Sequence, residues 1–310
     1  MYTEDRSIWE GKEVLENLAR IYEQIYLVPG EEGEKLYPDI VRRGKHAPCK
    51  SLGHFHGSKE DSCRFVETPA GEVRVVTLHD RSDFETFLQI MSKRCRKTPI
   101  PGTQGAVILD GVINHRKIER HKEEFYLDAA SRGMPEPSSL AWSLERARFI
   151  KERANYTDAL IVLSTGAYSA LSAKRAGFSQ EEWLGLSFKI REYHECTHFM
   201  CRRFYREKID VIYDEVVADA VGILAALGRY DIDLAKRVLG IEGDSYVGGR
   251  LENYVPLEEK GKERAKVIEE ILPKVFCVME AISKEAEGKE ENPFLLACAL
   301  EEQKEILWDT

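Results

Sequence analysis

The sequence predicts an α+β protein, with a mixed α/β region over residues 1–133 and a mainly helical region over residues 134–310 that holds a small β-sheet. Three observations carry this expectation. Apolar residues recur at helical spacing through much of the chain, most densely after Ser179. Three short apolar runs, Val73 to Leu78, Ala106 to Ile113 and Asp158 to Leu163, read as strands. Gly133, Pro135 and Pro137 punctuate Arg132 to Ser139 and give the candidate boundary.

In chain order, Val14, Leu15, Leu18, Ile21, Tyr22 and Ile25 repeat at helical spacing. They predict a helix from Ile8 to Tyr26, opened by a Ser7/Glu10 capping box and closed by Pro29-Gly30. Glu31 to Glu67 reads as irregular. It contains Cys49, His54, His56 and Cys63, whose spacing matches no common zinc arrangement. After the strand at Val73 to Leu78, Ser82 and Glu85 form a second capping box for a helix through Phe84, Phe87, Leu88 and Met91. The strand at Ala106 to Ile113 precedes helices at Ile118 to Ala130 and Leu140 to Ala154, and then the strand at Asp158 to Leu163. A third capping box, Ser179/Glu182, opens a helix running to about Tyr205, and a further helix spans Val211 to Leu227. Gly240 to Val255 is a glycine-rich loop. Leu257 to Gly288 and Asn292 to Trp308 are two helices rich in Glu and Lys, whose apolar stripes suit packing or a homo-oligomer surface.

The chemistry is concentrated between Arg191 and Gly222. His194-Glu195-Cys196-Thr197-His198 is an H-E-x-x-H motif, and residues four apart share a helix face, so both imidazoles can reach one ion. A catalytic zinc needs three protein ligands and an open position for water, whose pKa it lowers to roughly 7. Glu195 follows the first His directly and is placed to take the proton from that water. Glu215 is the favoured third ligand, with Asp214 and Asp219 as alternatives. Asp219, one turn beyond Glu215, can accept the free N–H of a liganding imidazole. Cys196 lies inside the motif at a packing position. Charged groups amid Val216, Val217, Ala218, Ala220 and Val221 are costly to bury unpaired, and a metal or imidazole partner removes that difficulty.

Composition narrows the class. The 310 residues are 43% hydrophobic and 32% charged, with a formal net charge of −9, and no dense Lys/Arg cluster supplies a nucleic-acid face. The N-terminal twenty residues lack the apolar core of an export signal, and the apolar run Val216 to Leu227 is too short to span a bilayer. Seven cysteines without a spaced framework suit free thiols in a reducing compartment. The expectation is a cytoplasmic protein with neither nucleic-acid nor membrane partners.

H-E-x-x-H followed by the E-x-x-x-D of Glu215 and Asp219 resembles the gluzincins, the thermolysin-like zinc metallopeptidases. The resemblance covers about thirty residues. It implies a zincin-like catalytic module with Zn2+ held by His194, His198 and Glu215, Glu195 as general base and Asp219 as the carboxylate behind the ligands. Sixteen residues, Phe199 to Asp214, separate His198 from Glu215, slightly fewer than in the best-known members. The family places a His, Tyr or Arg downstream to hold the oxyanion. Here Tyr246, Arg250 and Tyr254 are available, and no His follows Asp219. The resemblance also implies that the strand ending near Leu163 is an edge strand aligning extended substrate, with Gly166 and Tyr168 lining the cleft. The implied activity is zinc-dependent hydrolysis of a peptide bond, or a related amide, in a peptide or protein substrate. The alternative is a zincin-like binding or scaffold protein without turnover. A di-iron site would need a second E-x-x-H, which the chain lacks.

Overall fold

The computed structural model describes residues 7–205, 210–255 and 262–308. The fold is α+β. Five strands, β1 (Trp9–Glu10), β2 (Ser62–Thr68), β3 (Gly71–Leu78), β4 (Ala106–Ile113) and β5 (Thr157–Ser164), form a sheet in the order β1-β2-β3-β5-β4. The strand ahead of the metal motif, β5, is therefore interior, flanked by β3 and β4. The expectation of an edge strand that pairs with substrate is overturned: its backbone groups face neighbours on both sides. An apolar run does not distinguish the two positions in a sheet, because burial of both faces reads the same in either.

The chain divides into two compact units. The first comprises Met1–Phe65, Arg74–Ile100 and Ile108–Val162. It contains helices α1 (Glu13–Ile21), α2 (Glu31–Arg43), α3 (Arg81–Met91), α4 (His115–Ser131) and α5 (Ser139–Phe149). Val14, Leu15 and Leu18 of α1, Phe84, Phe87 and Leu88 of α3, and Leu160 to Val162 of β5 are buried. Asp158 ties three elements together. Its carboxylate accepts from the Tyr22 hydroxyl at 2.6 Å and the Asn114 amide at 2.7 Å, and pairs with Lys117 at 2.5 Å.

Three local expectations fail here. No helix starts at Ile8: Trp9 and Glu10 pair antiparallel with Cys63 and Ser62, the Ser7 hydroxyl accepts from the Trp9 indole, and α1 begins after Gly11, whose φ of 58° no helix adopts. Ser82 does not cap α3. Asp80 does, accepting from the Ser82 and Asp83 N–H groups, while Glu85 pairs with Arg81. The stretch from Glu31 to Glu67 is not irregular throughout, since it holds α2 and the start of β2. Pro38 inside α2 obscures its helical pattern, yet three acidic residues in the first turn and the left-handed Gly44 at the end are ordinary helix-terminal signals.

The second unit comprises Val66–Val73, Pro101–Val107 and Leu163–Thr310. It contains α6 (Ala173–Ala176), α7 (Gln180–Phe204), α8 (Val211–Leu227), α9 (Ile232–Leu239), α10 (Lys262–Glu285) and α11 (Phe294–Leu307), with a hairpin of β6 (Ile241–Glu242) and β7 (Ser245–Tyr246). The Ser179/Glu182 capping box opens α7 as predicted, and α8 spans its predicted residues, with Asp210 as its cap. Every residue from Val216 to Ala225 is buried, so α8 is the axis of this unit, packed by α7, α9, α10 and α11. The Tyr213 hydroxyl donates to the Leu300 carbonyl at 2.6 Å, and buried Lys304 pairs with Asp214 at 2.8 Å, fixing α11 to the first turn of α8. No helix among the described residues is long and apolar enough to cross a membrane.

The crossing of α7 and α8 depends on one glycine. A Cβ added to Gly222 would lie 2.6 Å from the Ile190 carbonyl oxygen, a backbone atom that cannot swing aside. Gly222→Ala is expected to destabilise the fold by about 1–3 kcal/mol through overpacking. Gly185→Ala, on an exposed part of α7 with nothing near the new methyl, is expected to stabilise it by about 0.5–1 kcal/mol. Urea denaturation of the two variants reads both signs.

Candidate metal centre

His194 and His198 lie one turn apart on α7, four and eight residues beyond Ile190. Glu215 and Asp219 lie seven and three residues before Gly222 on α8. The close contact at Ile190 and Gly222 therefore brings the two polar stripes face to face. His194 Nε2 is 3.0 Å from His198 Nε2 and 3.3 Å from Glu215 Oε2, and His198 Nε2 is 3.4 Å from Glu215 Oε1. Zinc bonds of about 2.0–2.1 Å at the tetrahedral angle place neighbouring ligand atoms about 3.3 Å apart. Two imidazoles and a carboxylate with these separations fit a tetrahedral ion with three protein ligands and one open position. The short connection from α7 to α8 still delivers Glu215, and neither alternative is needed: Asp214 is paired with Lys304 and Asp219 backs His194.

Behind the donors lies a buried network. His194 Nδ1 meets Asp219 Oδ1 at 2.9 Å, which leaves Nε2 facing Glu215 and His198. The Tyr168 hydroxyl donates to the same Asp219 oxygen at 2.5 Å, sits 2.9 Å from His194 Nδ1, and accepts from Arg250 Nη1 at 2.7 Å. Arg250 Nη2 pairs with the other Asp219 oxygen. The Tyr254 hydroxyl donates to Glu215 Oε2 at 2.7 Å. Arg250 and Tyr254 belong to a 3-10 turn, Arg250–Tyr254, set beside the end of α9 by another glycine contact: Gly240, at φ 88°, has no room for a Cβ because Gly248 O would lie 2.5 Å from it.

Electrostatics follow from burial. Desolvation alone would strip the proton from His194, but hydrogen bonds and charge from Asp219 and Glu215 outweigh it and raise its pKa to about 9. Burial opposes the charge of both carboxylates too. His198 and His194 nevertheless hold Glu215 well below the usual carboxylate range, and Arg250 with His194 lowers Asp219. Burial pushes the Tyr168 and Tyr254 phenols up, so both stay neutral donors. The cluster thus presents ionised carboxylates in a dry environment, where attraction for a cation is strongest.

The placement of the other predicted residues is mixed. Glu195 is half-buried, and its carboxylate makes no hydrogen bond or ion pair among the described residues, which leaves its lone pairs available for proton transfer. Tyr246 is engaged elsewhere: its hydroxyl has Gly249 O at 2.9 Å and Glu252 at 3.2 Å as acceptors for its one proton, and accepts from the Gly249 N–H. Cys196 is buried packing. Tyr168 reaches the centre, but as a partner of Asp219 on a turn after an interior strand and not as the lining of a substrate edge. Arg191 holds that turn through the Ser164 and Gly166 carbonyls at 2.7 and 2.8 Å, and Ser187 Oγ accepts the Tyr168 N–H at 2.9 Å. Ser169 and Ala170, next to Tyr168, have φ of 53° and 54°, a left-handed conformation that costs about 1 kcal/mol or more per residue. The polar stripe Ser187, Arg191, His194 on a buried helix face is the sequence signal for these supports.

A second group, His56, Asp80 and Asp83, also converges. Its carboxylates already serve the backbone, since Asp80 caps α3 and Asp83 accepts the His56 and Gly57 N–H groups at 2.9 and 2.7 Å. Cys49, His54 and Cys63 do not join it: Cys49 is exposed, His54 Nε2 contacts the Ile25 carbonyl and Cys63 lies beside Arg74.

Atomic emission analysis of purified protein is expected to find one zinc per chain, and His194→Ala or Glu215→Ala well below one. Asp219→Asn should weaken zinc about 10–100-fold in chelator competition, whereas Tyr246→Phe leaves it unchanged.

No curated protein and no solved structure matches the chain. A family model matches residues 29–303, a span that contains every residue of the centre, and the chain therefore belongs to DUF7005, a family of unknown function.

Proposed function

We propose that the second unit is a zinc-dependent hydrolase that cleaves a peptide bond. The observation that carries the reading is the triangle of His194 Nε2, His198 Nε2 and the Glu215 carboxylate, with edges of 3.0 to 3.4 Å and Asp219 fixed behind it. An ion bound there supplies a Lewis acid that acidifies water and polarises a carbonyl. Asp219 accepts the Nδ1–H of His194, so the proton that His194 gives up to an incoming ion leaves from Nε2, and Tyr168 and Arg250 hold Asp219. Glu195, adjacent in sequence to the ligands and uncommitted, accepts the proton from attacking water and returns it to the departing nitrogen. A cleft of about 90 Å3 opens beside His198 and Glu215 and is bordered by Tyr205, Val211 and Asp214, which gives a substrate access from that side.

One observation favours a second reading, a zincin-like binding protein without turnover. The strand expected to align an extended peptide, β5, is interior and offers no free edge.

Glu195→Gln separates the two. On the hydrolytic reading it retains one zinc per chain and lowers cleavage of a fluorogenic peptide mixture about 10²–10⁴-fold, the usual worth of general base catalysis. Zinc-loaded wild-type protein that cleaves none of the mixture supports the binding protein.

A further inference from the structure

The first unit contains a cleft of about 170 Å3 that takes in no residue of the metal centre. Its walls are the end of α1 with the 3-10 turn that follows, the end of α2, and the start of α4. We propose that this cleft binds a small phosphomonoester, its phosphate at the N-terminus of α4 against Arg20 and Arg116 and its organic part against Ile21, Ile40 and Ile113.

Gln24 points to a ligand. It is only 4% exposed and lines the cleft, yet its side-chain amide has no hydrogen-bond partner among the described residues. The amide is not sealed off, so it still opens onto the cleft, where a bound polar group can pair with it. The charges point to an anion. Arg116 forms no ion pair among the described residues, and Arg20 contacts only the Asn17 amide, at 3.0 Å. In a chain of net charge −9, two guanidiniums outside any ion pair among the described residues place positive charge on one cleft.

The negative groups nearby are accounted for. Glu23 already receives His46 at 2.8 Å, the Ala47 N–H at 2.8 Å and Lys50 at 3.3 Å. Glu119 is exposed at the rim, one turn beyond Arg116. Near the end of α2, where free carbonyls would repel an anion, three are occupied: Asp39 and Ile40 by the Lys45 and Gly44 N–H groups, and Val41 by His115 Nε2 at 2.9 Å. The α4 helix runs for seventeen residues, and its N-terminus adds a partial positive charge where a phosphate is favoured. Two guanidiniums supply two positive charges with bidentate donors, which match a phosphate dianion better than a singly charged carboxylate. Asp158 braces the walls by holding Tyr22, just after α1, and Asn114, the cap of α4.

Calorimetric titration of the full chain with glycerol 3-phosphate, inorganic phosphate and glycerate tests this. The expected result is one phosphomonoester per chain with a Kd below ~1 mM, and weaker binding of the other two. Arg116→Ala, an exposed substitution that leaves the core intact, should weaken the ester about tenfold or more. Gln24→Leu should weaken the ester and leave inorganic phosphate unchanged, with thermal melts showing that both variants fold. His194→Ala should bind the ester as wild type does, which separates this cleft from the metal centre. No heat with the ester, equal affinity for glycerate or inorganic phosphate, wild-type affinity in Arg116→Ala, or loss of binding in His194→Ala would each overturn the proposal.

Discussion

The approach of α7 and α8 at Ile190 and Gly222 is the constraint on which the second unit depends. A glycine at that point lets the two backbones meet at a separation that any side chain would prevent. Imidazoles and carboxylates have short reach, so two helices can share one ion only if their axes are close where the donors stand. Seven residues from Gly222 back to Glu215 and four from Ile190 forward to His194 are about two turns and one turn. Donors on those faces therefore diverge little from the contact that fixes them.

That closeness brings an electrostatic burden. Asp219 is buried between hydrophobic turns of α8, and Glu215 lies one turn before it at the cluster's rim. A buried carboxylate needs several partners to remain ionised. Asp219 has three: His194, Tyr168 and Arg250. The same three contacts orient the imidazole, so the groups that satisfy the charge also aim the ligand. Strain at Ser169 and Ala170 falls beside Tyr168, where Arg191 and Ser187 hold the turn.

Sequence legibility tracks the physical range of each interaction. The spacings of His194, His198, Glu215 and Asp219 are local to two helices, and periodicity with capping residues places those helices within a residue or two. The extent of α8 and the capping box of α7 were readable for the same reason. Tyr168 and Arg191 owe their roles to contacts between a turn after β5 and a buried helix face; the polar stripe on α7 marks that face, but no local rule names the turn that meets it. The position of β5 in the sheet depends on β3 and β4, which come earlier in the chain. At the N-terminus, two competing signals were close in strength. The Ser7/Glu10 pattern suggested a helix, but Gly11 and the pairing of Trp9 with Cys63 prevailed. In α2, Pro38 masked a helix whose ends were clearly marked.

On the hydrolytic reading, the same contacts bear on which downstream group holds the oxyanion. Arg250 is committed through both terminal nitrogens, to Tyr168 and Asp219, and withdrawing it would leave a buried carboxylate short of a partner at a cost of about 3–5 kcal/mol. Its work is to position Asp219. Tyr246 is tied to Gly249 and Glu252, just past its hairpin. Tyr254 differs from both, because its single proton turns on a soft C–O torsion and points at Glu215. An ion held by Glu215 would weaken the attraction of that oxygen for the proton, and the Tyr254 hydroxyl would then be free to turn toward charge developing on the substrate. A phenol kept neutral by burial remains a hydrogen-bond donor, so Tyr254 is the group of the three whose chemistry suits the oxyanion.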